Sequence, residues 1–331
     1  MAISAIKGGK GVTLIIQNTE GKVLQPAVLD GIQLSSQRKE APGKLTFKVV
    51  KDNALNFEEG NPVALNVDGK DVFAGYVFTK SRAKDGIVSV TVYDQIRYLK
   101  NKSTMVYTNK KASELVAMIA EDFKLKLGEI EDTGYVIPKR NESNVALIDM
   151  IQSALDLTLQ NTKKMYVLYD DFGKLCLKSK ENMEVNILID EETAENYEYE
   201  SSIDKNTYNQ IRLYFDNKET GKRELFMAID SETQAKWGIL QFCESLNERQ
   251  TQNAPAKAEA LLNYFNRKTR KLRIKNAFGD VRVRGGSDIW VMLDLGDVKV
   301  QHKMMVENVQ HEFTKDLHLM DLELRGGDID E

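Results

Sequence analysis

The sequence predicts a β-rich α+β protein with two small antiparallel β-barrel domains, one α+β domain and a helical insertion. Between residues 12 and 98, short apolar or alternating runs recur about every ten residues, which is typical of an antiparallel barrel or sandwich. Two segments of helical period follow, and a second helical pair interrupts a later series of strands. We therefore predict domains at residues 1–105, 106–200 and 201–331.

Length and composition limit the classes of protein to consider. A chain of 331 residues is long enough for two or three domains, and its 42% of hydrophobic residues argues against wholesale disorder. The 46 basic and 50 acidic residues give a net charge of −4, so we expect no specific nucleic-acid binding. Without a bilayer-length apolar run or a signal-peptide pattern, we expect neither membrane insertion nor Sec-type export.

The N-terminal β-barrel is predicted from short runs separated by turn-forming residues. Asp68 and Gly69 form a pair favoured in type I′ turns, so the hairpin around them is the best supported part of this domain. The predicted strands are residues 12–16, 43–50, 63–67, 72–78 and 87–92.

The α+β domain is predicted to contain two helices and a β-hairpin. Apolar residues recur at helical spacing over residues 109–124 and again after position 144, where Ser143 or Asn144 is the predicted N-cap. The hairpin is expected at residues 165–177. The acidic stretch 190–202 lacks either periodicity for most of its length and is interpreted as a junction.

The third domain is predicted to be a second β-barrel, interrupted at about residues 231–272 by two helices. The first helix is expected to run from its N-cap Ser231 to Leu246, and the second over residues 254–270. Strands are predicted on both sides of this insertion, at residues 209–215, 224–229, 272–276, 281–284, 289–293, 298–300, 304–313 and 318–324.

An internal similarity connects the two predicted barrels. Gly60 and Gly286 each precede an alternating apolar strand, a turn and a further hairpin. A coincidence between two small β-domains is the alternative, because short strand patterns are weak evidence of repetition. A true repeat would place six similar barrels in the ring of a trimer.

No residue pattern predicts a metal or a cofactor. Cys176 and Cys243 lie outside any metal-binding or disulfide pattern, so we expect two buried thiols. His311 and His318 can face each other across a hairpin, and a metal would need Glu312 or Asp316 as a further ligand. Strand alternation places Glu312 on the opposite face, so hydrogen bonds to neighbours are the favoured interpretation for these two histidines.

The residue patterns also argue against an enzyme. There is no G-x-S-x-G motif, and the glycines of residues 7–11 lack the order of a phosphate-binding loop. A basic run at residues 267–273 is expected at the end of a helix, where cations complement the helix dipole. A contact patch for an acidic partner is the alternative for this run.

Several blocks resemble the XkdQ-like tail proteins of PBSX-type prophages. The similarity extends over nearly the whole chain, but its motifs are turns and strand patterns and include no active site. The blocks are residues 146–158 (ALIDMIQSALDLT), 165–178 (MYVLYDDFGKLCLK), 230–241 (DSETQAKWGILQ), 279–287 (GDVRVRGGS), 306–313 (VENVQHEF) and 318–324 (HLMDLEL).

That family is similar to the baseplate hub proteins of contractile phage tails and of phage-tail-like bacteriocins. The resemblance implies a homotrimer that joins a hexameric tail tube, or its initiator protein, to a trimeric central spike. It further implies contacts with a LysM-bearing baseplate protein, the baseplate wedge and a tape-measure protein in the lumen. Assembly is expected in the bacterial cytoplasm, and the mature location is a virion or bacteriocin baseplate.

The hairpins of both barrels are the predicted ring interface, and the segment 237–273 is the predicted outer contact. A tail-associated cell-wall hydrolase and a non-phage carbohydrate-binding β-protein are the alternative functions. The predicted ring residues are Val63, Leu65, Val67, Val72, Phe73, Phe78, Ile289, Val291, Leu293, Met304, Val306 and Val309, and the outer-contact residues are Trp237, Arg267, Arg270 and Arg273.

Overall fold

The computed structural model describes residues 11–325 apart from positions 30, 51–54, 85, 205, 218–219, 247–250, 252, 297 and 316. These residues form two compact units. The larger unit contains residues 11–197 and Arg273–Arg325, and the smaller unit is Glu198–Leu272. The glycines of residues 7–10 and the carboxyl group of Asp316 lie outside the described residues.

The first part of the chain is almost entirely strand, as its alternating pattern predicts. Asp68 and Gly69 make the tight turn of the predicted hairpin, both with positive φ. The strands are β1 (Val12–Gln17), β2 (Val23–Leu24), β3 (Ile32–Gln37), β4 (Lys44–Val50), β5 (Pro62–Val67), β6 (Lys70–Arg82) and β7 (Ile87–Tyr93).

The middle of the chain contains the two predicted helices and the predicted hairpin, together with a pair of long strands that the sequence analysis missed. The elements are a 3-10 helix (Gln95–Lys100), β8 (Lys102–Lys111), α1 (Ala112–Asp122), β9 (Leu127–Ile130), β10 (Val136–Ala146), α2 (Leu147–Thr162), β11 (Tyr166–Asp170), β12 (Leu175–Ser179) and a second 3-10 helix (Lys180–Met183). β10 pairs with β8, and β12 lies between β11 and β9. Both helices bury their apolar faces in one core with Leu175 and Leu177.

The remaining elements are β13 (Glu184–Ile189), β14 (Ala194–Ser202), β15 (Gln210–Asn217), β16 (Lys222–Ile229), α3 (Ser231–Trp237), β17 (Gln241–Ser245), α4 (Ala254–Phe265), β18 (Thr269–Phe278), β19 (Asp288–Asp294), β20 (Lys299–Phe313) and β21 (His318–Arg325). In the smaller unit the sheet order is β16-β15-β17. One face of that sheet packs on α4 through Ala254, Ala258 and Leu262.

Several predicted boundaries are wrong for local reasons. Asn144 has positive φ beside a bulge of β10, so the strand runs on to Ala146 and neither Ser143 nor Asn144 caps α2. Asp230, not Ser231, caps α3, because its carboxylate accepts the Thr233 N–H at 2.8 Å. The helix ends at Trp237, because Gly238 adopts a positive φ and the chain enters β17.

Other predictions fail because pairing partners, not local pattern, decide the structure. The acidic stretch 190–202 is not a loop, since most of it forms β14 beside β18. The second long helix stops at Phe265, so the basic run 267–273 lies in a connection and in β18. Residues 281–284 form no strand, while the predicted strands 298–300 and 304–313 are replaced by the single strand β20, which begins at Lys299. Cys176 is buried as expected, but Cys243 is exposed.

Strands from both ends of the chain form one open sheet. The order is β14-β18-β21-β20-β3-β4-β7-β6-β5-β1-β2, with β19 on β20 and β13 on β19. The described sheets are open, so the two β-barrel domains predicted from the sequence are not confirmed. Antiparallel pairing of β20 with β3 joins the two halves, and Phe313 of β20 is buried in the core of the N-terminal strands.

The large sheet contains the same strand arrangement twice. The spatial order β3-β4-β7-β6-β5-β1 is matched by β14-β18-β21-β20-β19-β13, and corresponding strands follow each other in the same order along the chain. One difference is that β1 is antiparallel to β5, while β13 is parallel to β19. We call these two sets of six strands the first and second repeats.

The repeats agree in their hydrogen bonds. Gly60 and Gly286 both have positive φ, at 87° and 92°, and each donates its N–H to a strand residue at 2.7 Å, to Val77 in one repeat and Val306 in the other. The N–H groups of Val77 and Val306 in turn donate to the residue after each glycine. Both pairings are bulged directly after these valines. The internal similarity predicted from the sequence is therefore confirmed at the level of individual backbone groups.

The junction between the repeats is tightly packed. Arg38, which follows β3, donates its N–H to the Glu307 carbonyl at 2.9 Å and forms an ion pair of 2.8 Å with the Glu307 carboxylate. Gly285 donates its N–H to Ser36 Oγ. A Cβ atom at Gly285 would overlap the backbone of Gln37 and Arg38. The junction therefore requires glycine at position 285.

We predict that Gly285→Ala lowers the free energy of unfolding by about 3 kcal/mol, since the rigid backbone of the junction has to move to admit a methyl group. Urea denaturation measures the loss, and hydrogen exchange should show reduced protection of the Arg38 amide. Gly21→Ala is the control, because a Cβ there meets open space and only the left-handed backbone opposes it, at about 1 kcal/mol. Equal losses in the two variants, with unchanged Arg38 protection, would contradict the prediction.

Candidate functional site

Most of the predicted ring residues lie inside the protein. Four in the first hairpin and six in the second, ten in all, are buried: Val63, Leu65, Val67, Phe73, Ile289, Val291, Leu293, Met304, Val306 and Val309. Val72 is half-buried against the same core. Because these side chains hold the sheet together, any contact of the hairpins with a neighbour uses their outer faces and edges.

Phe78, the twelfth predicted ring residue, belongs to a half-buried aromatic group. It is the extra residue of the bulge in β6, where Glu307 occupies the same position in β20. Its ring centroid lies 5.4 Å from that of Tyr93 and 5.8 Å from that of Tyr98. The Arg97 guanidinium lies 5.4 Å from the Phe78 ring, at a distance suited to a cation–π contact.

An apolar strip on the outer face of the second repeat was not predicted as a surface. Leu188, Trp290 and Met292, which we call the apolar strip, are 42%, 43% and 50% exposed, and Leu188 pairs directly with Trp290. The Lys303 ammonium lies 5.5 Å from the Trp290 ring and 2.6 Å from the Glu184 carboxylate. A tryptophan held in this way exposes a large, rigid apolar surface.

The first repeat has no equivalent of the apolar strip. Counted from Gly60 and Gly286, the positions of Trp290 and Met292 correspond to Ala64 and Asn66. Ala64 is buried, and Asn66 donates a hydrogen bond to Asp71. The strip therefore distinguishes the second repeat from the first.

The predicted outer-contact residues lie on different elements. Trp237 is half-buried at the last residue of α3. The Arg267 guanidinium lies 5.2 Å from the Tyr264 ring, and Arg270 is half-buried at the start of β18. Arg273, further along β18, is exposed and lies 4.0 Å from the Glu323 carboxylate.

The smaller unit has a different exposed apolar row. Leu225, Met227 and Ile229 alternate along β16 and are 47–48% exposed, and β16 is an edge strand of the described sheet. The alternation was visible in the sequence, but residues 224–229 were interpreted as a barrel strand. Exposed apolar rows on edge strands are typical of protein contacts.

His311 and His318 form a hydrogen-bonded pair beside the junction. His311 Nε2 lies 2.9 Å from the Val283 carbonyl oxygen, so this nitrogen carries the proton. His311 Nδ1 must then accept from His318 Nε2–H, at 2.9 Å. Phe313 stacks on both rings. The interpretation of these histidines as hydrogen-bonded to neighbours is confirmed, and the described residues contain no group of three ligand-type side chains suited to a metal.

Burial determines the protonation of this pair. It lowers the pKa of His311 to about 4 and also lowers the pKa of His318. A proton added to His311 Nδ1 would face the proton that His318 Nε2 already donates to that atom, so the hydrogen bond between the two rings would be lost. The folded protein therefore keeps His311 neutral at physiological pH.

Two buried carboxyl groups lie where the α+β elements meet the sheet. Asp94 accepts the N–H groups of Gly43 and Ile96 at 2.7 and 3.0 Å, and burial, with the nearby Asp170, raises its pKa well above the usual range. Burial raises the pKa of Asp170 to about 7. Arg284 donates to the Asp170 carbonyl at 3.1 Å. Asp94 thus binds Gly43 beside β4 of the first repeat, and Asp170 of β11 binds Arg284, which precedes β19 of the second repeat.

We predict that the stability difference between the wild type and His311→Gln shrinks by about 3 kcal/mol as the pH falls from 6.5 to 4. The folded pKa of His311, about 4, lies below its value of about 6.5 in the unfolded chain. Only the unfolded wild type takes up this proton, so the wild type loses stability in that window.

The raised pKa values of Asp94 and Asp170 have the opposite effect on stability, but both groups are present in the two proteins and cancel. Urea denaturation at half-unit pH steps measures the difference. His302→Gln, at the half-buried third histidine, controls for loss of an imidazole. If the difference in free energy of unfolding between the wild type and His311→Gln stayed constant with pH, the prediction would be contradicted.

Sequence comparison finds relatives over nearly the whole chain. The phage-like element PBSX protein XkdQ and the uncharacterized protein YqbQ, both of Bacillus subtilis (strain 168), are each 29% identical over 320 residues, covering 94% of this chain and 95% of theirs. The described residues contain no helix long and apolar enough to cross a membrane.

Solved structures show the same fold. The 43 kDa tail protein of prophage MuSo2 from Shewanella oneidensis superposes with a TM-score of 0.71 at 12% identity, covering 97% of this chain and 98% of that one. A tail protein from Neisseria meningitidis MC58 gives 0.62 at 13% identity, with 96% and 98% covered. The E. coli c3393 protein gives 0.54 at 10% identity, with 94% and 76% covered; it is described as a type VI secretion component similar to the T4 tail proteins gp27 and gp5.

The family resemblance stated from the sequence blocks is confirmed by these relatives. A model of the YQBQ-like family matches residues 32–325, which include the second repeat, the smaller unit and the first repeat apart from β1. The chain therefore belongs to the YQBQ-like family.

Proposed function

We propose that this chain is a structural hub subunit of a phage-type baseplate, which assembles as a homotrimeric ring between a sixfold tail tube and a threefold spike. The observation that carries the proposal is the internal repeat. Two similar six-strand sets in one chain give six similar surfaces in a trimer, and such a trimer can face a hexamer on one side while remaining threefold on the other.

The comparisons support this proposal from outside the chain. A relative named as a phage-like element protein shares its sequence over most of its length, and solved tail proteins share its fold over most of theirs. A VgrG complex with PdpA also contains this fold, with a TM-score of 0.53 and 63% of that chain covered. The hub joins tube and spike, contacts a LysM-bearing protein and the wedge, surrounds a tape-measure segment and catalyses no reaction. It assembles in the cytoplasm and matures in a virion or bacteriocin baseplate.

The assembly is tested by analytical ultracentrifugation and cryo-electron microscopy of the purified chain, alone and with its spike and tube proteins from the same gene cluster. We expect a trimer whose averaged images show six similar density lobes. A chain that stays monomeric with both partners present would contradict the proposal. Clearing of bacterial cell wall in a zymogram would favour a hydrolase, and a glycan-array signal would favour a carbohydrate-binding protein.

Symmetry separates the surfaces of such a ring into two classes. A sixfold tube requires surfaces present in both repeats, whereas a threefold partner can use a surface found in only one. The apolar strip occurs in the second repeat alone, where Trp290 and Met292 replace Ala64 and Asn66 of the first. On this basis the strip is assigned to the trimeric spike.

We predict that Trp290→Ala combined with Met292→Ala weakens spike binding at least tenfold, because an exposed aromatic anchor of an interface contributes a few kcal/mol. Initiation of tube assembly should be unchanged. Titration by light scattering measures both. Leu225→Ala combined with Met227→Ala, in the exposed row of the smaller unit, is the matched control. Normal spike affinity in the Trp290 variant would refute this assignment of the strip.

A further inference from the structure

The junction inside the chain shows how one repeat accepts a strand from the other. Residues 308–311 of β20 pair on one side with β21 and on the other with residues 34–37 of β3. The residues of β6 at the same place after the bulge are 79–82. In the described part of the chain, their backbone pairs only with β7. Among the described residues, the first repeat therefore has no strand paired at the place where the second repeat holds β3, and the nearest chain there is the segment 55–59, whose Phe57 carbonyl accepts from the Lys80 ammonium at 2.6 Å.

β14 is the counterpart of β3 in the second repeat. Each is the first strand of its set in spatial order and lies beside β4 or β18. The carbonyl of Thr193, just before β14, accepts from the Phe278 N–H at the end of β18. The carbonyl of Ser202, at the end of β14, accepts from the Thr269 hydroxyl at the start of β18, so the pair is antiparallel, as β3 and β4 are. β14 ends the described order of the sheet, so its other edge has no strand beside it.

We propose that β14 of one chain pairs antiparallel with residues 79–82 of β6 in a second copy, as β3 pairs with β20 within each chain. This inference rests on the proposed trimer and identifies its chain-to-chain contact. The donor strand, which is last in the described sheet order, belongs to the second repeat and the acceptor edge to the first, so the contact is head to tail. Repeating the in-chain junction between chains alternates the repeats around a closed ring.

Charge favours this pairing over contact between identical edges. β14 carries Glu195, Glu198 and Glu200. The acceptor edge carries Arg82, is followed by Lys84, and contains Lys80, whose ammonium lies 3.9 Å from the Glu59 carboxylate. Arg82 is exposed and has no acidic partner among the described residues. Two β14 strands side by side would place acids against acids, which is destabilising. The in-chain junction likewise uses an ion pair, between Arg38 and Glu307.

The contact is tested by reversing charge on each side and then on both. Arg82→Glu alone, and Glu195→Lys with Glu200→Lys, should each raise the concentration at which half the chains are trimeric at least tenfold in sedimentation experiments. Combining all three substitutions in one chain should restore most of the loss. Lys48→Glu, at an exposed position of β4, is the control for net charge, and circular dichroism melting verifies folding of each variant.

Carbodiimide cross-linking provides a second readout that does not depend on substitutions. In trimers mixed from ¹⁴N-labelled and ¹⁵N-labelled wild-type chains, we expect heavy–light links between Lys80 or Lys84 and the acids of β14. A trimer that forms without these links and is unaffected by Arg82→Glu would overturn this contact and leave the proposed ring intact. Dimers held through two β14 strands would also overturn it. A chain that stays monomeric with both partners would overturn the proposed function itself.

Discussion

The pairing of β3 with β20 is the constraint on which the rest of the structure depends. It joins the beginning and the end of the chain into a single sheet. The Arg38–Glu307 ion pair is almost buried on its arginine side, where only 6% of the side chain is exposed. Such a pair is costly to break, because the remaining charge would stay in a low-dielectric site. With Gly285 against the backbone of β3, it holds the two repeats in one arrangement.

Local signals in the sequence were sufficient for elements whose structure is decided locally. The Asp68–Gly69 hairpin and the helices α1 and α2 follow from turn chemistry and apolar spacing. β14 was missed because its glutamates have low strand preference and only its pairing with β18 makes it a strand. Alternation specifies which face of a strand is buried but not which strand lies beside it, so the joining of the two strand sets into one open sheet was not predicted.

The same limit applies to the candidate surfaces. The residues selected from apolar alternation are the inward side chains of the hairpins, because burial in the chain's own core and burial in an interface produce the same alternating pattern. Trp290 and Met292 occupy the intervening positions of β19, and only the structure shows that their face has no layer over it among the described residues. A signal was present in the sequence, since two large apolar residues at outward positions of a half-buried strand are unusual.

Comparison of the repeats separates what the architecture requires from what a particular partner requires. The glycine turn, the bulge after Val77 or Val306 and the six-strand order occur in both repeats, which is expected if each must fit the same neighbours around a ring. Two differences are that β13 runs parallel to β19 where β1 is antiparallel to β5, and that an apolar strip replaces Ala64 and Asn66. Because these differences occur once per chain, a trimer repeats them three times, and they are suited to contacts of threefold symmetry.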